Sequence, residues 1–161
     1  MPTVNNLMEP NENSGLKCYN STFEHGLDEK RRIQVPAKWR PDEAGTELTL
    51  VLWQKAKEGP CLRVLPPAKL KQTMTEIAAM ANTDPAKGVL KRLIGSGSAQ
   101  VTLDKTGRIC IPEPMAKAAG INGQAILVGL LDCFEIWNPD RYERVMAADA
   151  IMAPEAFRLM E

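Results

Sequence analysis

Two arginines, Arg32 and Arg108, each stand four residues after an aspartate, Asp28 and Asp104, and each opens a run of alternating β-branched residues that ends in proline. The phrases read Leu27-Asp28-Glu29-Lys30-Arg31-Arg32-Ile33-Gln34-Val35-Pro36 and Leu103-Asp104-Lys105-Thr106-Gly107-Arg108-Ile109-Cys110-Ile111-Pro112. Asp and Arg are displaced by the same 76 positions, 28 to 104 and 32 to 108. A guanidinium is a planar fork of donors that can clamp a phosphate bidentately or reach O6 and N7 of guanine in a major groove, and lysine adds a mobile charge. Lys30 and Arg31 in one phrase and Lys105 in the other enlarge the basic edge. The same spacing permits a plainer arrangement, in which Asp28 with Arg32 and Asp104 with Arg108 are exposed turn salt bridges worth about 0–1 kcal/mol each.

The elements that must position these side chains are also written twice. Leu50-Val51-Leu52 aligns with Ile126-Leu127-Val128, and Cys61 to Leu65 aligns with Cys133 to Trp137; a proline, Pro67 or Pro139, then opens an apparent helix. Each half reads strand, tight turn, strand, short helical segment, strand, turn, strand, helix. A unit present twice rarely completes a core alone, so the halves are expected to build one fold together. Short strands are expected at 48–53, 101–103, 109–111 and 125–130, bounded by Gly, Pro or Asp. Leu70, Met74, Ile77 and Ala81 give a helix over 67–81, and Asp84-Pro85 opens a second that closes at Gly95. Asn138-Pro139 opens the last helix, which Pro154 is expected to end or kink. Gly107 suits a turn with positive φ; Arg31 occupies the same place in the first copy, so either that turn differs or strain is tolerated there.

Composition narrows the functional classes. Twenty basic and twenty acidic side chains cancel, so global charge neither supports nor excludes a nucleic-acid partner. The four cysteines are widely spaced and the single histidine, His25, precedes the first phrase as an expected turn or surface residue, which argues against a structural zinc site. Cys61, Cys110 and Cys133 are expected as small buried hydrophobes, and the methionines of helices and tail, Met74, Met146 and Met152 among them, as packing residues. The longest apolar run, 125–131, is far short of a membrane span, and no basic-then-apolar leader opens the chain, so a cytoplasmic protein with reduced thiols is expected. No paired carboxylates beside a histidine, phosphate-cradling glycine loop or metal cluster suggests an enzyme.

The paired phrases, the stretch from Ile126 to Trp137 and the join from Arg92 to Ser98 resemble the MraZ family of bacterial transcriptional regulators over about 22–149. The resemblance implies a β-rich α+β fold: two tandem AbrB-type (SpoVT-AbrB) swapped-hairpin modules forming one pseudo-two-fold β-barrel with peripheral helices. The implied organisation is a disordered extension at 1–17, a first repeat at 18–82, a connecting helix at 83–97, a second repeat at 98–152 and a tail at 153–161. It also implies a non-enzymatic, cofactor-free, nucleoid-associated regulator that assembles into a ring-shaped homo-oligomer. Its partner would be double-stranded promoter DNA, at direct repeats upstream of the cell-division and cell-wall gene cluster that includes its own gene. The DNA-contacting role falls on Arg32 and Arg108 first, then on Lys30 and Lys105; Arg31, where the family usually has Gly, joins them as an added charge. The alternative is an antitoxin-like or other protein-binding oligomeric module, with the Asn/Glu-rich start as an arm.

Overall fold

The computed structural model describes residues 17–54 and 57–161; most of the expected N-terminal extension lies outside the described residues. Strands β1 (Thr22–Gly26), β2 (Arg32–Gln34), β3 (Leu48–Trp53) and β4 (Cys61–Leu65) come from the first half of the chain. The second half supplies β5 (Ser98–Val101), β6 (Arg108–Cys110), β7 (Gln124–Gly129) and β8 (Phe134–Trp137). Among the described residues there are four α-helices, α1 (Pro67–Ala79), α2 (Pro85–Ser96), α3 (Glu113–Ala119) and α4 (Pro139–Arg158), and a 3-10 turn at Ala37–Trp39. Sequence dictates their starts. Asp84 accepts from the Ala86 N–H and Asn138 from the Arg141 N–H, each capping a helix whose first residue is proline.

The sheet order is β1-β7-β8-β4-β3-β5, so each half lends its first strand to the other: β1 pairs with β7, and β5 with β3. Repeat-equivalent strands are 1 and 5, 3 and 7, 4 and 8, and exchanging them reverses the order without changing it. The centre is the β4–β8 pair, where Arg63 faces Glu135. There Arg63 donates from Nε and Nη2 to Glu135 Oε2 at 2.9 and 2.7 Å, its guanidinium lies 3.9 Å from the Trp53 ring centroid, and Trp137 Nε1 donates to Glu135 Oε1 at 2.9 Å. Glu135 is buried, so its charge is sustained by these partners.

Strands β2 and β6 form a separate two-stranded ribbon. Among the described residues the expected closed barrel is therefore not seen: the sheet ends at β1 and β5, and the bridge of Leu27 to Ile33 links it to the ribbon. Ribbon and sheet share one core, in which Ile33, Val35, Ile109 and Ile111 pack with Leu50, Leu62, Leu127 and Ile136. Trp39 packs in it, tilted against Phe134 at 4.8 Å and edge-to-face with Phe23 at 5.2 Å, centroid to centroid, and Trp137 is buried as its strand position requires.

Several expectations are corrected. Strand β5 starts ahead of the expected 101–103 and shares only Val101 with it, because its pairing with β3 starts at the chain reversal after Gly97. Helix α4 runs through Pro154 to Arg158; the carbonyl freed at exposed Ala150 is open to water, so the proline breaks no buried bond. Cys61 and Cys133 are buried, but Cys110 is exposed, since alternation along β6 sends Ile109 inward and its neighbours out. His25 lies in β1, half-buried and stacked on Phe23, rather than in a turn. Met74, Met146 and Met152 are exposed rather than packed.

Removing one partner of the central ion pair leaves the other charge buried. Arg63→Ala is expected to cost about 3–5 kcal/mol in urea unfolding, whereas Arg63→Met/Glu135→Leu is expected to lie much closer to the parent. Equal losses in both variants would count against the pair as the seam's electrostatic clamp.

Candidate nucleic-acid interface

The ribbon sets the geometry of the five basic residues. Its register is Arg32 opposite Cys110, Ile33 opposite Ile109 and Gln34 opposite Arg108, so the residue 76 positions on from Ile33 is its own cross-strand partner. The local two-fold passes between these two isoleucines, both fully buried. Period-2 alternation then turns Arg32, Gln34, Arg108 and Cys110 to the outer face as one four-residue patch. Sequence reasoning named the arginines and missed Gln34 and Cys110. The signal was present in the alternation of Arg-Ile-Gln-Val and Arg-Ile-Cys-Ile.

Both aspartates build their turns in the same way. Asp28 Oδ1 accepts from the Lys30 and Arg32 N–H groups at 2.9 Å each, and Oδ2 accepts from Arg32 Nε at 2.6 Å. Asp104 Oδ1 accepts from the Thr106 and Arg108 N–H groups at 3.0 and 2.9 Å and from the Thr106 hydroxyl at 2.9 Å, and Oδ2 accepts from Arg108 Nε at 3.0 Å. Arg108 Nη1 also lies 3.5 Å from Asp28 Oδ2, tying the two turns together. The plain salt-bridge arrangement is thus present, and it does something specific. It fixes each guanidinium through Nε while the Nη atoms of Arg32 have no hydrogen-bond partner among the described residues. Side chains also clamp across the dyad: Gln34 Nε2 donates to Thr106 O at 2.6 Å, and the equivalent Cys110 thiol to Lys30 O at 3.2 Å.

Lys30 and Lys105 are exposed at the turn tips. They are not repeat equivalents; Lys30 corresponds to Thr106, and Lys105 to Glu29. Charge is nonetheless balanced, because Asp28 and Glu29 against Lys30, Arg31 and Arg32 leave one positive charge, as Asp104 against Lys105 and Arg108 does.

Arg31 and Gly107 adopt the same left-handed backbone, φ 60° and 82°, so the first turn does not differ and a non-glycine residue carries strain of about 1–2 kcal/mol. What offsets it is local. Arg31 Nε donates to Ile111 O at 2.9 Å, while the Ile111 N–H donates to Arg31 O at 2.9 Å. In the other half the Val35 N–H donates to Gly107 O, and the guanidinium comes from elsewhere: Arg40 Nε donates to Val35 O at 2.9 Å. A Cβ on Gly107 would fall 2.3 Å from Arg40 Cζ. The repeat equivalent of Arg40 is Ala116, which together with Arg31 lines a cleft of about 650 Å³. Each half thus places one guanidinium over the same carbonyl position, from the turn in one and from the residue beyond the 3-10 turn in the other. Arg40 could not be found from the phrases, since only three-dimensional packing places it over Gly107.

The exchange is testable by a double-mutant cycle. Gly107→Arg alone is expected to destabilise by about 1–3 kcal/mol, through the clash with Arg40 and positive φ. Adding Arg40→Ala reproduces the Arg31/Ala116 arrangement and is expected to recover most of the loss; strict additivity would refute the shared position. The turn carboxylates predict acid sensitivity. Hydrogen bonds from the Arg108 backbone N–H first, then from Thr106, lower Asp104 from 3.8 to about 2, and the Arg32 backbone N–H, foremost, holds Asp28 below its ordinary value. Depressed folded-state values stabilise the fold above the ordinary aspartate range, and that contribution disappears as pH falls from about 4 towards 2. Asp104→Asn should flatten the acid limb of a stability–pH profile; an unchanged limb would contradict this origin.

Among the described residues no helix is long and apolar enough to cross a membrane, and no three metal-ligating side chains converge. Residues 94–158 match a family model described as "MraZ protein, putative antitoxin-like". The chain is 34% identical to a protein of Herpetosiphon aurantiacus named Transcriptional regulator MraZ, over 82% of this chain and 89% of that one. A protein of that name from Treponema pallidum is 33% identical over 87% of this chain and 88% of its own, and one from Hyphomonas neptunium 28% identical over 84% and 82%. At this identity and coverage, the chain belongs to the MraZ family.

Proposed function

We propose that this chain is a sequence-selective DNA-binding transcriptional regulator without enzymatic activity, and that it meets DNA with the outer face of the β2–β6 ribbon and its two turns. The observation that carries the reading is the pair of aspartate-held guanidiniums, Arg32 and Arg108, on either side of the Ile33/Ile109 dyad. Held through Nε, Arg32 can offer its Nη edge to phosphate or guanine at little further entropic cost, and Arg108, whose Nη1 lies beside Asp28, can offer its Nη2. Lys30 and Lys105 add phosphate contacts that set register, and Gln34 lies within the same patch. Arg31 has its Nε committed to Ile111 O, and in this reading it holds the turn that presents Arg32. The names of the relatives support the regulatory role.

Finer features rest on family resemblance. In this reading the halves are two AbrB-type swapped-hairpin modules, and the exchange of β1 and β5 supports it. Several protomers assemble, as a ring, on direct repeats upstream of the cell-division and cell-wall cluster that includes the protein's own gene, in the cytoplasm and at the nucleoid. One ribbon is small beside the roughly 1,000–2,500 Å² of protein surface that specific DNA interfaces bury, which favours several protomers acting together.

The test is binding to a labelled fragment of the protein's own upstream region across a salt series, with unrelated competitor DNA. Log affinity is expected to fall with log salt at about −0.9 per phosphate neutralised. Arg32→Ala/Arg108→Ala is expected to remove specific binding, at about 1–3 kcal/mol for each bidentate base contact, while leaving the fold intact. A folded double variant that still selects the fragment would overturn the assignment.

A further inference from the structure

The outer face of the ribbon is less symmetric than its backbone. Two of its four side chains, Arg32 and Arg108, are repeat equivalents and identical; the other two, Gln34 and Cys110, are also 76 positions apart and differ. The register sets Gln34 directly across from Arg108, and Cys110 directly across from Arg32. Side chains opposite one another on one face lie about 4.5–5.5 Å apart at Cβ, so Gln34 and Arg108 address neighbouring positions on whatever covers the ribbon. The turns leave one net positive charge each. The difference that remains on the strands is an amide against a thiol.

Those two side chains share one task and differ in what each has left to offer. Each donates across the dyad to the same carbonyl position, Gln34 Nε2 to Thr106 O at 2.6 Å and the Cys110 thiol to Lys30 O at 3.2 Å. A carbonyl oxygen only accepts, so this bond settles which end of the Gln34 amide is nitrogen. Gln34 Oε1 has no hydrogen-bond partner among the described residues. The amide, anchored at Nε2, thus presents an acceptor beside Arg108. In a major groove that acceptor matches an exocyclic amino group, N6 of adenine or N4 of cytosine, and is repelled by O6 of guanine and O4 of thymine. Beside Arg32 the committed thiol leaves only a weak sulfur acceptor.

We infer that Gln34 is a specificity-determining residue that gives the DNA contact a direction: the base facing it, next to the Arg108 contact, is adenine or cytosine, while the equivalent base in the Arg32 half is left almost unrestricted. The inference deepens the ribbon reading given above and rests on it.

Selection from a randomised duplex pool tests it with two opposed substitutions, Gln34→Cys and Cys110→Gln. Each installs the side chain that its repeat equivalent carries, with a donor for the same carbonyl. The parent is expected to select a site that is asymmetric about its two arginine contacts, with adenine or cytosine favoured on one flank by about fivefold or more over guanine and thymine. Gln34→Cys is expected to erase that preference and leave a symmetric site. Cys110→Gln is expected to add the same preference on the other flank and so make the site palindromic, a gain that a misfolded chain cannot produce. An Arg32→Ala/Arg108→Ala variant, folded by circular dichroism, that still selects the parent's site overturns the ribbon reading and this inference with it. Where selection depends on both arginines, a symmetric parent site, a Gln34→Cys variant that keeps the parent's flank, or a Cys110→Gln variant that gains none overturns this inference alone. So does a Gln34→Cys loss of affinity that is equal for all sequences, which would make Gln34 a positioning residue for the turn at Thr106.

Discussion

The antiparallel seam between β4 and β8 is the constraint on which the rest of the fold depends. It is where the two halves of the chain meet, and outward from it each half accepts the other's first strand, β7 taking β1 and β3 taking β5. Neither half therefore owns a complete sheet, which is the physical sense of a unit written twice. On a true two-fold of identical chains, the residues at the centre would face their own kind. Here the centre holds Arg63 against Glu135, an opposite-charge pair that only a duplicated chain with independently varying halves can place there. Burial makes that pair costly to break and therefore specific about register.

The seam places the ribbon, and the ribbon places the arginines. With Ile33 and Ile109 both fully buried and opposite one another, a slip by one residue would bury Arg32 or Arg108 instead. The outer patch is consequently fixed by hydrophobic burial beneath it rather than by contacts among its own members. The aspartates refine it: one carboxylate oxygen satisfies backbone N–H groups of the turn, and the other holds the guanidinium at Nε. Much of the carboxylate's hydrogen-bonding capacity is thereby spent on the backbone. Each turn keeps a net positive charge although the whole chain is neutral.

Much of this was legible in the sequence because it repeats. The 76-residue displacement that relates Asp28 to Asp104 reappears as the cross-strand pairing of Ile33 with Ile109, and helix starts at Pro67, Pro85 and Pro139 follow from local proline and cap chemistry. Closure of the barrel was not legible, because whether three-residue strands join a larger sheet depends on hydrogen bonds that no pattern encodes. Cys110 was misjudged by treating its strand as apolar throughout, when a ribbon with one wet face obeys strict alternation. Pro154 misled for the opposite reason: the local rule holds where the freed carbonyl is buried, and here it faces water. The contacts of Arg40 were invisible in principle, since it meets Gly107 only through the packing of the two halves.

That last contact shows what divergence within a duplicated fold is free to change. The turn demands a left-handed residue at position 31 or 107, and in each half a guanidinium Nε bonds the facing carbonyl, Ile111 O or Val35 O. One half meets both demands with a single residue, Arg31, at the cost of strained φ and with a small Ala116 lining the same cleft. The other divides them between an unstrained Gly107 and a neighbouring Arg40. The two solutions exclude each other at one site, because Arg40 occupies the space a side chain on residue 107 would need. Substitutions at the turn and at the residue beyond the 3-10 segment are therefore constrained as a pair. What the fold holds constant is the position of a guanidinium over a strand carbonyl, and the residue that supplies it is free to differ between the halves.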